Sequence, residues 1–227
     1  MHLTNITILL HTCTFDEIFI MSEFEMDIEH CLVVLNEGGT ILYPTDTIWG
    51  IGCDATNNEA VQKIYKLKER PPKKSMIVLL ADEKDIIKYI ANPDPRVFDY
   101  LKTVQRPTTI VYEGAIGLAP DLIQEDGSIA IRIVQDKFCR HLLKRFRKPI
   151  VSTSANLSGE VTPGLFSEIL NPVRTGVDYV VHYRQEDDKP SQSSSVVKLN
   201  RDGTINIIRE YICLENSGSF KQHSLVM

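Results

Sequence analysis

The stretch KIYKLKERPPKKSMIVLL, residues 63–80, contains the features that decide the fold of this chain. It carries six lysines and arginines against one glutamate, although the whole chain has a formal net charge of −5. Its first residues repeat at helical spacing, and Pro71 and Pro72 cannot continue a helix. The apolar run SMIVLL that follows is typical of a buried strand. A helix that leads into such a strand predicts an α/β protein.

The same alternation extends in both directions from this stretch. Helices are predicted at residues 27–36, 59–69, 136–147 and 164–170, with two short ones within 82–102. Strands are predicted at residues 40–44, 75–80, 108–112, 128–134, 149–153, 178–182, 194–199 and 204–210, and residues 45–58 as a loop. Helices separate the early strands, and hairpin spacing joins the last ones. We therefore predict one α/β domain on a mixed, twisted open sheet with flanking helices.

The two ends of the chain are predicted to lie outside this domain. Helical periodicity begins after Met21, so we expect an extension at residues 1–20, the domain at 21–211 and a flexible tail at 212–227. The apolar run near the N-terminus is too short to cross a bilayer, and it lacks a basic flank and a cleavage site of small residues. We expect no membrane association.

The five cysteines and six histidines show no metal-binding spacing. The cysteines also contain no CxxC pair. This pattern favours reduced thiols in the cytoplasm and no structural metal.

Lys68 is the cation that the helical pattern places facing inwards. The apolar stripe of its helix consists of Val61, Ile64 and Tyr65, and Lys68 occupies the next position of that stripe. Lys63 and Lys66 fall on the opposite face, where solvent is expected. A lysine that only extends its ammonium to water is the alternative reading of Lys68. An inward ammonium beside Arg70 and Lys74 needs an anion, for which a triphosphate or bicarbonate would serve.

Two further segments place polar groups on or after predicted strands. In SIAIRIV, isoleucines alternate with Ser128, Ala130 and Arg132. Arg132 is then either a solubilising charge on an edge strand or a guanidinium on a pocket floor that grips a carboxylate. The hydroxyl-rich segment VSTSANLSGE, residues 151–160, either satisfies its own backbone or contacts phosphate and ribose.

Several familiar catalytic motifs are absent from the sequence. It contains no GxxxxGK[ST] phosphate loop and no GxSxG segment. GIGCDA, residues 50–55, matches GxGxxA, but no predicted helix opens inside it. These observations exclude a P-loop site and a dinucleotide site, and they disfavour a hydrolase with a covalent intermediate.

Four segments together resemble the Sua5/YrdC/YciO family in their order and spacing: GGTILYPTDTIWGIGCDA, KLKERP, IAIRI and STSANLSG. The most specific element is a KxR…SxN pair, present as Lys68-Glu69-Arg70 and Ser154-Ala155-Asn156. The resemblance covers residues 27–210 and implies the YrdC-like fold of the short, single-domain type, with a positively charged concave cavity. Three local departures are VQRPTT, where the family has a Gly-Pro turn, SSS before the late strand, and EY after the final arginine, where the family has proline-glycine.

The resemblance implies an L-threonylcarbamoyladenylate synthase, a nucleotidyltransferase. Such an enzyme makes threonylcarbamoyl-AMP and pyrophosphate from L-threonine, bicarbonate and ATP, with Mg²⁺ accompanying ATP. The product serves N6-threonylcarbamoyladenosine formation at position 37 of certain tRNAs, so the expected partners include downstream tRNA threonylcarbamoyl transferase proteins.

The resemblance also implies roles for individual residues. Lys68 and Arg70 would be catalytic. The ATP-binding residues would be Arg70, Lys74, Ser154, Asn156 and Arg209. The threonine-binding residues would be Thr47, Arg132 and Ser194. No residue is implied as a metal ligand.

The alternative is a YciO-like protein of the same fold that binds RNA or the ribosome without this activity. Double-stranded RNA or tRNA would then contact outward cations. These cations are Lys73, Lys74, Lys137, Arg140, Lys144, Arg145, Arg147 and Lys148. Cations that point into the protein favour the enzyme hypothesis, whereas rows of cations that point to solvent favour the nucleic-acid-binding hypothesis. A related carbamoyl-adenylate chemistry with another amine acceptor is a third reading.

Overall fold

The computed structural model describes residues 15–71, 74–200, 202 and 204–210, with backbone only for 15–23. The helices are α1 Phe15–Asn36, α2 Asn58–Leu67, α3 Arg96–Thr103, α4 Lys137–Phe146 and α5 Asn171–Thr175. Short 3₁₀ segments lie at Glu83–Lys88, Pro120–Leu122 and Phe166–Glu168. The strands are β1 Ile41–Tyr43, β2 Gly50–Gly52, β3 Ile77–Leu80, β4 Thr108–Tyr112, β5 Ile129–Ile133, β6 Ile150–Ser154, β7 Tyr179–Val180, β8 Ser195–Leu199 and β9 Ile205–Arg209.

These strands form one mixed sheet in the order β7-β1-β2-β6-β3-β5-β4-β8-β9. The pairs β1–β7, β3–β5 and β4–β8 are parallel, and the other neighbours are antiparallel. The predicted α/β class with a mixed, twisted sheet is therefore confirmed. Because β5 lies between β3 and β4, it is an internal strand. The edge-strand reading of Arg132 is wrong.

Helices α1 and α4 pack against each other beside the sheet. The rings of Phe24 and Phe138 meet edge to face with their centroids 5.3 Å apart. Ile28 and Leu35 of α1 are buried, and so is Leu142 of α4. Burial of these apolar side chains supplies the main stabilisation of this layer.

Helix α1 begins earlier than the sequence pattern predicts. It is already formed at Phe15, inside the segment assigned to the extension. Residues 1–14 and 211–227 lie outside the described residues. The domain bounds at Met21 and residue 211 therefore stay predictions.

Strand β2 lies inside the predicted loop 45–58. Its sequence is GIG, and glycine is depleted from strands, so composition hides this strand. A Cβ on Gly52 would lie 2.5 Å from the carbonyl oxygen of Val151 and 2.6 Å from Cε1 of Tyr43. The glycine thus allows β2 to fit closely between β1 and β6.

Helix α2 ends at Leu67, before the two prolines that were predicted to end it. Glu69 has a left-handed backbone with φ of +49°. The Glu69 N–H donates to the Lys66 carbonyl at 3.1 Å, and the Arg70 N–H donates to the Tyr65 carbonyl at 2.9 Å. These bonds form a Schellman motif. The motif turns the chain sharply at Glu69 and sets the positions of Lys68 and Arg70 relative to the helix.

Candidate active site

A cavity of about 430 Å³ opens on the sheet and collects most of the predicted site residues. Its walls come from the loop after β1, from the ends of β5 and β6, and from β8 and β9. The predicted residues that line it are Thr47, Arg70, Arg132, Ser154, Ser194 and Arg209. Among the described residues, no aspartate or glutamate belongs to the lining. Lys68, Lys74 and Asn156 do not belong to this lining.

Lys68 lies directly behind the cavity wall. Its side chain is 0% exposed, so the reading of a lysine reaching to solvent is wrong. The ammonium donates to the carbonyl oxygens of Ser154 and Asn156, which leaves one of its three N–H groups for another acceptor. Burial, together with the nearby charges of Arg70 and Lys74, lowers the pKa of Lys68 to about 7. A negative ligand would therefore favour the charged form.

Arg70 reaches the cavity from the turn that ends α2. Its Nη2 donates to the carbonyl of Ser75 at 2.8 Å, whereas its buried Nε has no partner in the structure. Burial lowers the pKa of this guanidinium below its usual value. Lys74 is exposed nearby, and its carbonyl lies 3.0 Å from the Tyr65 hydroxyl.

Arg132 projects from β5 and is 3% exposed. Its Nη2 lies 3.2 Å from Oδ1 of Asp46, an ion-pair distance without the alignment of a hydrogen bond. The same nitrogen lies 3.5 Å from Oγ1 of Thr45. Its Nε is buried without a partner. A buried guanidinium with a free N–H is suited to a carboxylate. Sequence reasoning missed Asp46, whose only signal was its place in the PTDT segment.

Thr47 is held by its own loop. Its hydroxyl lies 2.9 Å from the Thr45 hydroxyl, and its N–H donates to that same oxygen at 3.0 Å. Thr45 in turn donates to the carbonyl of Ile48 at 2.8 Å. This network orders the loop between β1 and β2 at the edge of the cavity.

Ser194 connects two strands that meet at the cavity. Its hydroxyl lies 2.8 Å from the hydroxyl of Thr109. Thr109 of β4 is in turn the register partner of Arg132 on β5. The carbonyl of Ser194 accepts bonds of 3.1 and 2.9 Å from Nε and Nη2 of Arg209. Burial lowers the pKa of Arg209, and the charge of Arg132 acts in the same direction. The two guanidinium groups therefore lie close enough to influence each other.

The hydroxyl-rich segment 151–160 partly lines the cavity and partly satisfies its own backbone. Ser152, Thr153 and Ser154 line the cavity. Asn156 instead donates to the carbonyls of Leu157 and Glu160, at 2.9 and 2.7 Å, and so stabilises its own turn. Its buried Oδ1 has no partner. Gly50 lies opposite Ser154, and a Cβ there would approach Ser152 Oγ to 3.0 Å, so the glycine keeps this wall open.

Most cations of the outward row on α4 are paired with acids. Arg140 and Lys144 contact Asp82, at 3.1 and 3.9 Å. Arg145 contacts two glutamates of α1, and Lys148 contacts Asp54 at 2.7 Å. These pairs reduce the positive charge that this surface offers to a phosphate backbone. Lys73 lies outside the described residues.

The described residues contain no metal cluster and no membrane-spanning helix, and their cysteines are reduced. No group of three or more His, Cys, Asp or Glu side chains there could hold a metal ion. Within the same ranges, no helix has the length and apolar character that a membrane crossing requires. Cys31, Cys53 and Cys139 are buried free thiols.

Comparison with known proteins places this fold and cavity in a family. The family model Sua5_yciO_yrdC, described as telomere recombination, matches residues 33–210. The chain belongs to the Sua5/YciO/YrdC family. It is 34% identical over 151 residues to a protein of Stenotrophomonas maltophilia named threonylcarbamoyl-AMP synthase, a match that covers 65% of this chain and 81% of that one.

Solved structures of Sua5/YciO/YrdC members share the fold. Sua5 of P. abyssi, solved in complex with L-threonine, superposes with a TM-score of 0.72 at 20% identity, over 83% of this chain and 54% of that one. The chain thus spans little more than half of that Sua5 protein. YciO of E. coli superposes with a TM-score of 0.70 at 23% identity, over 83% of this chain and 90% of that one.

Proposed function

We propose that this chain is an L-threonylcarbamoyladenylate synthase, a nucleotidyltransferase that uses L-threonine, bicarbonate and ATP. The observation that carries the proposal is one cavity lined by Arg70, Arg132 and Arg209, with no carboxylate among the described residues that line it. Such a cavity suits substrates that are all anionic or carry a carboxylate. Relatives named threonylcarbamoyl-AMP synthase support the assignment.

The threonine site is proposed around Arg132. Its buried, unpartnered Nε would bind the threonine carboxylate, while Asp46 holds the other side of the guanidinium. Thr47 and Ser194 line the same cavity and offer hydroxyls to a small polar ligand. This assignment accounts for a buried arginine whose charge is only partly paired.

The nucleotide site is proposed around Arg70 and the end of β6. Arg70 and Ser154 would contact phosphate oxygens directly, and Lys74 would add charge from the cavity rim. Lys68 would hold the carbonyls of Ser154 and Asn156, and with its remaining N–H it would act on the phosphates. Asn156 would act mainly by shaping its turn. Arg209 would lie between the two sites.

The proposed chemistry joins two anions. The threonine amine and bicarbonate form a carbamate, with loss of one water. A carbamate oxygen then attacks the α-phosphorus of ATP, the bond from that phosphorus to the β-phosphate oxygen breaks, and pyrophosphate leaves. The cationic side chains around the phosphates would reduce the repulsion between carbamate and ATP and would stabilise negative charge on the leaving pyrophosphate. No side-chain nucleophile takes part.

Mg²⁺ would enter with ATP as part of the substrate. Because the described part of the cavity lining has no carboxylate, the phosphate oxygens and water would supply its ligands. The ion would neutralise phosphate charge in the transfer.

The product would pass to tRNA threonylcarbamoyl transferase proteins in the cytoplasm. The RNA- or ribosome-binding alternative receives less support, because Lys68 and Arg132 face inwards and most of the α4 cations are paired. Activity with another amine acceptor is an outcome of the experiment below.

The experiment is a pyrophosphate-release assay with purified protein, ATP, Mg²⁺, bicarbonate and L-threonine. We expect release that depends on both threonine and bicarbonate, together with threonylcarbamoyl-AMP detected by mass spectrometry. Omission of each substrate in turn is the control. ATP hydrolysis that is indifferent to threonine would contradict the proposal, and dependence on a different amine would redirect it.

A further inference from the structure

Among the residues that the structure describes, three buried side-chain nitrogen donors around the same cavity have no hydrogen-bond partner. They are Nε of Arg70, Nε of Arg132 and Nε2 of Gln124. A buried donor without an acceptor destabilises a protein, so a bound acceptor is expected for each of them. The two arginines have roles in the proposed function, but the glutamine has none. Of these three donors, that of Gln124 is therefore the one that remains to be explained.

The backbone of Gln124 is rigidly placed. Its N–H donates to the carbonyl of Ser128 at 2.9 Å, and its own carbonyl accepts from the N–H of Gly127 at 2.9 Å. Gly127 has a left-handed backbone with φ of +76°, which suits the tight turn into β5. Both backbone groups of Gln124 are thus used by the turn. Only its side-chain amide is available to a ligand.

The turn that carries Gln124 lies next to Lys74. The Tyr65 hydroxyl is 3.0 Å from the carbonyls of both Lys74 and Asp121, so it connects Lys74 to the segment that leads into Gln124. Arg70 is anchored on the carbonyl of Ser75, and Ser75 also lines the cavity. Gln124 therefore belongs to the Arg70 end of the cavity.

We propose that the side-chain amide of Gln124 donates a hydrogen bond to a phosphate oxygen of ATP and to the pyrophosphate that leaves. This inference rests on the proposed function and adds a binding residue to it. The amide would act beside Arg70 as a neutral donor, adding no charge repulsion to a region that already holds Lys68, Arg70 and Lys74. Its buried N–H would thereby gain an acceptor.

Two substitutions at Gln124 separate hydrogen bonding from shape. Gln124→Met retains the length of the side chain without the donor, and Gln124→Glu retains the shape but adds a negative charge. The matched controls are the same substitutions at Gln105, which is exposed on the segment before β4. Binding of ATP, inorganic pyrophosphate, adenosine and L-threonine is measured by titration calorimetry.

We expect Gln124→Met to weaken ATP and pyrophosphate binding by about five- to tenfold, the effect of one lost hydrogen bond. Gln124→Glu should weaken both by more than Gln124→Met, and added salt should reduce the difference. Adenosine and threonine affinities should stay within about twofold, as should all four affinities of the Gln105 variants.

Three results would overturn the inference while leaving the proposed function intact. They are unchanged pyrophosphate affinity, a loss confined to ATP and adenosine, and an equal loss for threonine. Unchanged pyrophosphate affinity would mean that only water contacts the amide. A loss confined to ATP and adenosine would make Gln124 a nucleobase contact. An equal loss for threonine would make its role structural. A wild-type protein that binds neither ATP nor pyrophosphate would instead defeat the proposed function and this inference together.

Discussion

The hydroxyls of Thr109 and Ser194 lie 2.8 Å apart in the protein interior and join β4 to the segment that leads into β8. Thr109 also pairs with Arg132 on the adjacent strand β5. The contact therefore connects the strand of the proposed carboxylate-binding arginine with Ser194 and, through its carbonyl, with Arg209.

Thr109→Val should lower the free energy of unfolding by about 1–2 kcal/mol, because the buried Ser194 hydroxyl keeps only the longer contact of 3.5 Å with Nη2 of Arg209 while the volume is retained. Threonine affinity should fall at the same time, since Ser194 then rotates more freely. Urea denaturation and titration calorimetry measure the two effects. A variant with wild-type stability would mean that the two hydroxyls contribute no net stabilisation.

Lys68→Met should lower kcat/KM by about a hundredfold, roughly 3 kcal/mol, because the charge near the developing pyrophosphate is lost. Lys63 provides the matched control on the same helix. Its exposed ammonium donates to the carbonyl of Gly38 at 2.8 Å, and Lys63→Met should cost less than ~0.5 kcal/mol. Equal losses in the two variants would show that the cations act only as a diffuse surface charge.

The lowered pKa of Lys68 also predicts proton uptake when ATP binds. With a pKa of about 7, this lysine is mostly neutral at pH 8 in the free protein, and a bound polyanion should restore its charge. ATP binding at pH 8 should therefore take up at most about 0.9 proton per site. Calorimetry in buffers of different ionisation enthalpy measures this number. Lys68→Met should abolish the uptake and Lys63→Met should retain it; uptake that survives in Lys68→Met would assign it to another group.

Arg132→Lys should weaken threonine binding by about 30-fold, roughly 2 kcal/mol, because an ammonium cannot reproduce the planar fork that binds a carboxylate with two bonds. ATP affinity should change by less than about twofold and serves as the internal control. Parallel titrations with both ligands test the prediction. If ATP affinity falls as much as threonine affinity, Arg132 does not define a separate carboxylate site.

Asp27 is a buried carboxylate that joins α1 to the end of β7, and sequence reasoning did not identify it. It accepts bonds from the Tyr179 hydroxyl at 2.6 Å and from the N–H groups of His182 and Tyr183 at 3.0 and 2.8 Å. Asp27→Asn should lower the free energy of unfolding by about 2–3 kcal/mol. The substitution removes the negative charge and places the asparagine NH₂ group against a backbone N–H that now donates to the carboxylate. Tyr179→Phe removes one donor and should cost about 1 kcal/mol. Equal losses in urea denaturation would contradict the central role assigned to the carboxylate.

The domain boundary at Met21 is tested by two shortened chains. A chain that starts at Met21 should melt within about 4 °C of the full chain, equivalent to roughly 1 kcal/mol for a domain of this size. A chain that starts at Asp27 loses the contact of Phe24 with Phe138 and the ion pair of Glu25 with Arg145, so it should melt at least that much lower. A comparable drop in the first chain would make the beginning of α1 part of the domain.

The periodicity of the sequence determined the helices and strands and the direction of their side chains, because these depend on residues that are close in the chain. The stripe of Val61, Ile64 and Tyr65 predicted α2 and the inward direction of Lys68, and the buried side chain of Lys68 confirms that direction. The alternation in IAIRI predicted a strand with Arg132 on a polar face, and Arg132 lines the cavity. Both predictions held because side-chain direction follows from the 3.6- and 2-residue repeats of helices and strands.

Tertiary structure alone decided what depends on contacts between distant residues. β2 is a strand because glycine lets it approach β1 and β6 closely, which the local preference of GIG opposes. α2 ends in a left-handed turn at Glu69, although this position is usually occupied by glycine or asparagine. The sheet order brings Arg132 of β5, Ser194 before β8 and Arg209 of β9 to one cavity. Strand order and the partners of buried charges are set by packing across the whole sheet, and no repeat along the chain encodes them.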